Sequence, residues 1–347
     1  MVGMSGYYPP PGFHPPGYSA PMWPTPVVRP GVIPLRPLTL SDVFNGAVAY
    51  VRANPRATLG LTAIVVVTSQ VVALLFQIGP LTSADVLAQG RDGQSGFSDS
   101  ALVGLLASEA ASVVTSVLAA IVLSGLLTVV VGRAVFGATI GMGEAWRRAR
   151  GRLLPLLGVT VLEAAGAALL IAVAVGLVAA VDRIVGDAAA FAVGAVLALA
   201  LVALLVYLYT VLSFAPALVV LERIGVLPAL ARSIALVRHD FWRVFGIRLL
   251  AAVAAGIVSF AVTMPFAVVG SVLQLVDEST GAAVAAVVLA GVGSAVGQIV
   301  TAPFTAGVVV LLYTDRRIRA EAFDLVLQTG ASPMVHSTDD LWLTPRR

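Results

Sequence analysis

Six long apolar runs follow Pro37, and each is long enough to cross the hydrocarbon core of a lipid bilayer. A core of about 30 Å needs about 20 helical residues, and the runs cover residues 57–78, 102–131, 153–181, 188–219, 244–275 and 282–313. A charged fraction of 11% and a mean hydropathy of +0.98 exclude an ordinary soluble domain, in which about 25% of residues are charged. The sequence therefore predicts an all-α integral membrane protein with six transmembrane helices.

The distribution of arginine predicts how the six spans are oriented. All 21 basic residues are arginines, and most of them lie before the first span and after the second, fourth and sixth spans. Loops on the cytoplasmic side of a membrane carry an excess of Lys and Arg. The opposite loops carry only Arg91 and Arg183, beside several acidic residues. We therefore expect a multi-pass plasma-membrane protein with both termini in the cytoplasm.

A repeated pattern divides the chain into three units. An arginine stands eight residues before a glycine near the start of each odd-numbered span, in the pairs Arg52 and Gly60, Arg150 and Gly158, and Arg238 and Gly246. A short amphipathic segment precedes each of these spans, and in the third unit its apolar face consists of Leu227, Leu230, Ile234, Val237 and Phe241. Such helices are expected to lie in the cytoplasmic membrane interface. The sequence thus predicts three repeats of an interfacial helix and two antiparallel spans, at about residues 38–137, 138–224 and 225–328.

The two ends of the chain are predicted to differ from the span region. Residues 1–37 contain eleven of the twenty prolines, which removes the backbone donors that a helix needs and predicts disorder. This segment is either a docking tail for a cytoplasmic protein partner or an unstructured leader. Residues 315–328 are predicted to form a helix that emerges into the cytoplasm. Residues 329–347 are predicted to be a loose tail, with Leu341, Trp342 and Leu343 available for a short docking contact.

The residue types that usually carry catalysis are scarce. The chain has no cysteine, and its three histidines, His14, His239 and His336, lie outside the apolar runs, so no metal-ligand spacing occurs at membrane depth. No pair of Asp or Glu recurs within a span, as an acid/base couple would require. We therefore predict no catalytic site, no metal and no cofactor, and a protein that is not an enzyme. Nucleic-acid binding is not expected either, because no soluble basic domain exists to hold phosphates.

Two ionisable residues are predicted at membrane depth, where burying a charge costs about 2.5–3.5 kcal/mol. Glu163 lies about two turns inside the third span, and Arg248 lies about one turn inside the fifth. We hypothesise that the two side chains approach one another in the bundle and form an intramembrane ion pair. The alternatives are a packing role, an Arg248 that snorkels to the interface, or a substrate or proton site.

Other features could serve either structure or function. Pro216, Pro265 and Pro303 are predicted to kink spans four, five and six, as in many transporters and in many other membrane proteins. Gly293 and Gly297 form a small-xxx-small pair that suits helix packing within the chain or contact in a homo-oligomer. The arginines of the interfacial segments either bind anionic lipid headgroups or only set the topology; the candidates are Arg52, Arg147, Arg148, Arg150, Arg232, Arg238 and Arg243.

Several short motifs resemble those of a family of bacterial membrane proteins. They are LTLSDVFNGA at 38–47 with Asn54 and Pro55, GEAW at 143–146, SFAPA at 213–217, LVR at 236–238, FWRVFG at 241–246, LY at 312–313, RIR at 317–319 and EAFDL at 321–325. They resemble the six-span membrane domain attached to some glycerophosphodiester phosphodiesterases, over about residues 37–328. The resemblance implies a six-span architecture and no assigned activity, because phosphodiesterases of that type use a separate soluble catalytic barrel that this chain has no room to encode. The use of Arg without Lys, beside much Ala, Val and Gly, is typical of GC-rich genomes, and an actinobacterial source is our working hypothesis.

Two classes of function agree with this sequence. The first is a non-catalytic scaffold or accessory protein in envelope assembly or membrane homeostasis, which acts through its tail and interfacial helices. The second is a transporter of a lipid or small solute, which uses the arginine-rich helices and the proline-containing spans. The transporter needs a polar cavity at membrane depth, whereas the scaffold predicts a dry bundle packed by small residues.

Overall fold

A computed structural model describes residues 31–34, 36–81, 99–277, 279–330 and 340–343 of the chain. These residues form no β-strand. They form ten α-helices of eight residues or more, which are α1 (Leu40–Ala53), α2 (Pro55–Leu81), α3 (Asp99–Val135), α4 (Met142–Arg150), α5 (Leu153–Val185), α6 (Asp187–Val211), α7 (Val226–Val237), α8 (Phe241–Val276), α9 (Thr280–Glu321) and α10 (Phe323–Gly330). A helical turn (Ala215–Ala217) and a π-helical segment (Leu218–Glu222) follow α6, and two 3-10 turns lie at Arg238–Asp240 and Asp340–Trp342.

Among the described residues, six helical stretches are long and apolar enough to cross a membrane, as the apolar runs predicted. They are Pro55–Ile78, Leu102–Val135, Leu153–Val185, Asp187–Glu222, Val226–Val276 and Thr280–Glu321. The all-α fold class with six candidate spans is therefore confirmed. A short helix precedes α2, α5 and α8, so the short helices α1, α4 and α7 gather at one end of the bundle, which we call the arginine-rich end.

Helix α9 is the longest element and forms the centre of the arginine-rich end. Its 42 residues extend for about 63 Å at about 1.5 Å per residue, about twice the thickness of a hydrocarbon core. Residues 315–328 are helical apart from one break, because α9 continues to Glu321 and ends at Ala322, whose φ is +51°, and α10 follows. Residues 310–318 are buried among other helices. Protein therefore covers the end of α9, and the helix continues beyond the apolar run.

Helices α8 and α9 pack closely through small residues. A Cβ added to Gly293 would lie 3.0 Å from Cβ of Phe266, and one added to Gly297 would lie 2.8 Å from Oγ of Ser259. The small-xxx-small pair of α9 thus packs against α8 within the chain. Pro265 and Pro303 lie inside these two helices, which continue through them.

Helix α1 packs on α9 and is not an isolated interfacial helix. Its buried face consists of Val43, Gly46, Ala47 and Tyr50, and the hydroxyl of Tyr50 donates a hydrogen bond to the carbonyl of Pro303. Burial raises the pKa of the Tyr50 hydroxyl well above its usual range. The helix starts with a capping box, in which Thr39 and Asp42 bond each other's backbone amides. A prediction based on amphipathicity alone missed that protein, rather than lipid, covers the apolar face.

Helix α7 packs against the protein through a face different from the apolar face that periodicity identified. Leu227 is 70% exposed and Ile234 is 38% exposed, whereas the buried residues are Ala229, Ser233, Leu236 and Val237. In a membrane, large apolar side chains gain little by facing protein instead of lipid, and small residues let helices approach closely. Leu227 and Ile234 therefore lie on the surface, as an interfacial helix requires, and the interfacial location itself stays a prediction.

Helices α5 and α6 stand apart from the other spans over most of their length. The buried residues of α5 are Leu156 and Val159, both near its start, and those of α6 are Ala190 at its first turn and Thr210 and Val211 at its end. The two helices contact each other, but their buried contacts with the rest of the bundle lie at the arginine-rich end. This hairpin is therefore attached at one end only.

The described residues begin before the predicted boundary at residue 37. The Val32 amide donates to the carbonyl of Ala134 at the end of α3 (3.2 Å), and Ile33 and Leu38 are fully buried. Prolines prevent a helix here, but an irregular segment can still dock its apolar side chains. The rest of the predicted N-terminal tail, residues 1–30, lies outside the described residues. At the other end, Trp342 is 3% exposed, so the docking contact foreseen at residues 341–343 is present.

Candidate functional site

A cavity with a mostly apolar lining lies between the α5–α6 hairpin and the other spans, with a volume of about 420 Å³. We call it the central cavity. Residues of α3, α5, α6, α8 and α9 line it, and so does the segment that follows α6. The lining includes both apolar and polar side chains, and the polar ones are Ser124, Thr128, Glu163, Tyr209, Ser213, Arg248 and Thr305.

The two ionisable residues predicted at membrane depth both line the central cavity. Glu163 lies ten residues after Leu153, the first residue of α5, and Arg248 lies seven residues after Phe241, the first residue of α8. At about 1.5 Å per residue they are about 15 and 11 Å along their helices. Within the described residues they form no direct ion pair, and Arg248 instead donates to the Tyr209 carbonyl (3.0 Å) and lies 4.4 Å from the centroid of the Tyr209 ring. The structure thus places Glu163 and Arg248 in the lining of the same cavity.

The end of α6 explains why the Tyr209 carbonyl can accept this hydrogen bond. In a regular helix that carbonyl would accept the amide of Ser213, but the Ser213 amide bonds the carbonyl of Thr210 instead (3.3 Å). Pro216 follows three residues later and has no amide hydrogen to continue the helix. Of the three predicted kinks, Pro216 is the one next to an interruption of the helix, which falls at residues 212–214, and the interruption leaves a backbone acceptor at the cavity.

Below the break, the π-helical segment 218–222 carries Glu222 into a buried cluster of charged residues. The Glu222 carboxylate accepts from the Tyr313 hydroxyl (2.6 Å) and lies 2.7 Å from Nε of Arg232 and 3.7 Å from Nε of Arg317. The contact between Nε of Arg232 and Glu222 is an ion pair, but its geometry is not that of a hydrogen bond. Glu321 also pairs with both arginines, at 2.7 and 2.9 Å. These five residues connect α6, α7 and α9.

A second buried carboxylate, Asp315 of α9, connects this helix to α8 and to the segment before α1. It accepts from the Leu38 amide (2.7 Å), Arg243 (3.2 Å) and Arg319 (3.0 Å). Its neighbour Arg316 donates to the Leu236 carbonyl (2.9 Å) and pairs with Asp240. We call the clusters around Glu222 and Asp315 together the ionic layer.

The seven arginines predicted to contact lipid headgroups fall into two groups. Arg148, Arg232 and Arg243 pair with acidic residues of the chain, which are Glu144 (2.7 Å) for the first and members of the ionic layer for the other two. The other four are exposed on the surface, and they are Arg52, Arg147, Arg150 and Arg238. Arg238 bonds its neighbour His239 (3.0 Å), and Arg52 lines an otherwise apolar groove between α1, α8 and α9.

Sequence reasoning missed the ionic layer. A usable signal was present, because Glu144, Glu222, Asp240, Asp315 and Glu321 are acidic residues in segments that are otherwise rich in arginine. Acidic residues in such segments are expected to pair within the protein. Which arginine each one selects depends on tertiary packing. Among the described residues, no group of three or more His, Cys, Asp or Glu side chains could hold a metal ion.

Comparison with known proteins gives one match. The sequence model of a family described as "Domain of unknown function (DUF7847)" matches residues 38–316. Searches among curated proteins and among solved structures each found no match. Because the family match covers well over half of the 347 residues, the chain belongs to the DUF7847 family.

Proposed function

We propose that this protein handles membrane lipids, and that it binds a phospholipid with a zwitterionic headgroup in the central cavity. The observation that carries the proposal is the placement of Glu163 and Arg248 around one cavity without a direct ion pair. A carboxylate and a guanidinium separated by such a space complement a headgroup with an ammonium at one end and a phosphate at the other. The volume of about 420 Å³ is in the range of small-molecule sites, about 300–1,000 Å³.

The packing of the α5–α6 hairpin supports a path for acyl chains. A lipid that binds by its headgroup must leave its chains in contact with the membrane. Because α5 buries no residue beyond Val159, the space between this hairpin and the other spans is open to chains on the side away from the arginine-rich end. Charges that cost about 2.5–3.5 kcal/mol each to bury would be neutralised by the bound headgroup.

Native mass spectrometry of the full chain, released from its own membrane in polymer-bounded lipid discs, tests this proposal. We expect one retained phospholipid for each protein, which is lost from Glu163→Gln and from Arg248→Gln. Arg183→Gln is the matched control, because Arg183 lies exposed near the far end of α5, outside the cavity. Absence of a retained lipid from the unaltered protein, or retention by both cavity variants, would contradict the proposal.

A scaffold or accessory role in envelope or membrane homeostasis is the second candidate. It is supported by the ionic layer, which ties α7 and the segment before α1 to α9, and by α4, which presents Trp146, Arg147 and Arg150 on the surface. The test is deletion of residues 1–30, which leaves the docked residues 31–34 intact. A protein partner that copurifies with the full chain and is lost on this deletion supports the scaffold, whereas the same set of proteins with and without the segment argues against it.

We further propose that the arginine-rich end faces the cytoplasm of a plasma membrane, with both termini on that side. The arginine clusters support this orientation. Since the chain has no cysteine, single replacements at Ser5, Ser337 and Ser279 can be labelled individually. An impermeant maleimide should label Ser279→Cys in intact cells, and Ser5→Cys and Ser337→Cys only in inverted vesicles; the reverse pattern would overturn the orientation.

The three-repeat organisation and the relation to the phosphodiesterase membrane domain are also hypotheses. The repeats are supported by the recurrence of a short helix before α2, α5 and α8, and the relation is supported by the sequence motifs between residues 38 and 325. On this view the units at residues 38–137, 138–224 and 225–328 have a common origin, and the second unit has diverged most in its packing.

A further inference from the structure

Serine and threonine hydroxyls line the central cavity, and two of them have no partner among the described residues. The hydroxyls of Ser213 and Thr305 donate to nearby backbone carbonyls, at 2.7 and 3.0 Å. Those of Ser124 and Thr128, which lie one turn apart on α3, form no hydrogen bond with any described residue. The cavity therefore contains hydroxyl groups that the described part of the chain leaves unpaired.

Thr128 is the more informative of these two residues, because it is only 4% exposed. A buried threonine in a helix commonly donates to the carbonyl four residues before it, as Thr62 of α2 does to Thr58 (2.7 Å). Within the described residues, Thr128 does not make this bond to Ser124. A buried hydroxyl without a partner destabilises the protein, so an occupant of the cavity that bonds the Thr128 hydroxyl would recover this loss.

Glu163 adds a charged acceptor to the same cavity. Its side chain is half-buried, and its carboxylate forms no hydrogen bond with a described residue. A carboxylate accepts hydrogen bonds, and a hydroxyl can both donate and accept. The carboxylate of Glu163 and the hydroxyl of Thr128 can therefore each accept an N–H from a bound headgroup.

Aromatic surface, by contrast, is scarce in the central cavity. Proteins recognise quaternary ammonium groups with cages of aromatic rings. Among the described residues that line the cavity, Tyr209 is the one aromatic residue, and the guanidinium carbon of Arg248 lies 4.4 Å from the centroid of its ring. A cation thus already covers one face of this ring, and a single ring does not form a cage.

We infer that the central cavity selects a phospholipid whose headgroup ends in a primary ammonium, as in ethanolamine, over one that ends in a quaternary ammonium, as in choline; this inference rests on the proposed function. A primary ammonium carries three N–H donors, whereas a quaternary ammonium carries none. A choline headgroup would leave the acceptors of Glu163 and Thr128 unpaired in the cavity. For this reason a site built to hydrogen bond an N–H group strongly rejects an analogue that lacks it.

A series of headgroups that lose one N–H at a time tests this selection. The full chain in detergent micelles is titrated with phosphatidylethanolamine, its N-methyl and N,N-dimethyl derivatives and phosphatidylcholine, all with the same acyl chains, and native mass spectrometry measures the bound fraction. Binding that is lost from Arg248→Gln is assigned to the cavity. We expect this affinity to fall with each added methyl group, by about tenfold or more over the series, because hydrogen bonds to a charged group are lost.

Variants of one threonine test the part played by the unpaired hydroxyl. Thr128→Val keeps the shape of the side chain and removes the hydroxyl, so it should weaken binding of phosphatidylethanolamine by about tenfold and leave binding of phosphatidylcholine unchanged. Thr128→Ser should restore most of the affinity. Thr62→Val is the matched control, because Thr62 is also buried but lies outside the cavity and bonds its own helix; it should change the binding of neither lipid.

The outcomes separate the selection from the proposed function. Equal affinities across the series, all of them lowered by Arg248→Gln, would overturn the selection and leave the lipid site in place. Equal effects of Thr128→Val and Thr62→Val would overturn the part assigned to Thr128. Binding that Arg248→Gln lowers for none of the lipids would overturn both proposals.

Discussion

The α5–α6 and α8–α9 hairpins are both long and strongly apolar, yet they pack differently. In α9, Gly293 and Gly297 meet side chains of α8 at close range, whereas Gly166 and Gly176 of α5 have no atom within 4 Å of where a Cβ would lie. The most apolar window of α5 contains no buried residue. Apolar composition therefore predicts which segments enter a membrane, but the positions of small residues relative to a partner decide which segments pack. One hairpin is part of the core, and the other is attached to it at one end.

Substitutions where the α5–α6 hairpin is attached to the other helices should reduce the stability of the protein most. Glu222 follows α6, and its side chain contacts α7 and α9. Glu222→Ala leaves Arg232 and Arg317 without this buried carboxylate, so we expect a loss of about 3–5 kcal/mol in the free energy of unfolding. Unfolding in detergent micelles, followed by circular dichroism, measures it. Glu109→Gln, on the exposed face of α3, should change stability by less than about 0.5 kcal/mol; similar losses for both would show that Glu222 is not an anchor.

A matched pair of glycine substitutions compares the two hairpins directly. Gly293→Val must displace Phe266, and overpacking of this kind costs about 1–3 kcal/mol. Gly166→Val, on the open face of α5, should be close to neutral. The same unfolding measurement applies, and equal effects at the two positions would contradict the difference in packing that separates the hairpins.

A smaller effect is expected at the contact that supports α9 from α1. Tyr50→Phe removes the hydrogen bond to the Pro303 carbonyl, and the expected cost is about 1 kcal/mol. Tyr207→Phe, at a half-exposed position on α6, is the control and should cost less than about 0.5 kcal/mol. A larger loss in the control would place the more important tyrosine hydroxyl on the second hairpin.

The last comparison concerns motion and requires no change in stability. Spin labels on cysteines at Leu169 of α5 and Val113 of α3 should give a broader distance distribution than labels at Val268 of α8 and Val292 of α9. All four side chains are exposed, and the chain has no other cysteine to label. Pulsed electron paramagnetic resonance in nanodiscs measures both distributions; equal widths would show that the α5–α6 hairpin is held as firmly as the α8–α9 hairpin.

The sequence predicted the elements well and their contacts less well. Hydropathy identified the six candidate spans because a segment that crosses a bilayer must be apolar along its length. The free-energy cost of burying a charge identified Glu163 and Arg248 as unusual, and both line the central cavity. The periodicity of α7 did not indicate which of its residues pack against protein, since the periodicity of large side chains does not distinguish lipid from protein. The pairing of Glu222 with Arg232 and Arg317 could not be predicted, because these contacts depend on how segments distant in the chain pack together.

The hydrogen bond from the Leu38 amide to Asp315 has a consequence for how the protein is made. These residues are 277 positions apart, and at about 5–20 residues per second a ribosome needs on the order of tens of seconds to cover that interval. Until then the Leu38 amide lacks its acceptor Asp315, and the Glu222 carboxylate lacks its partners Tyr313 and Arg317. A nascent chain that has already inserted four spans therefore still exposes unpaired polar groups. These groups are paired only when the last helix is complete, so a truncated chain keeps them exposed.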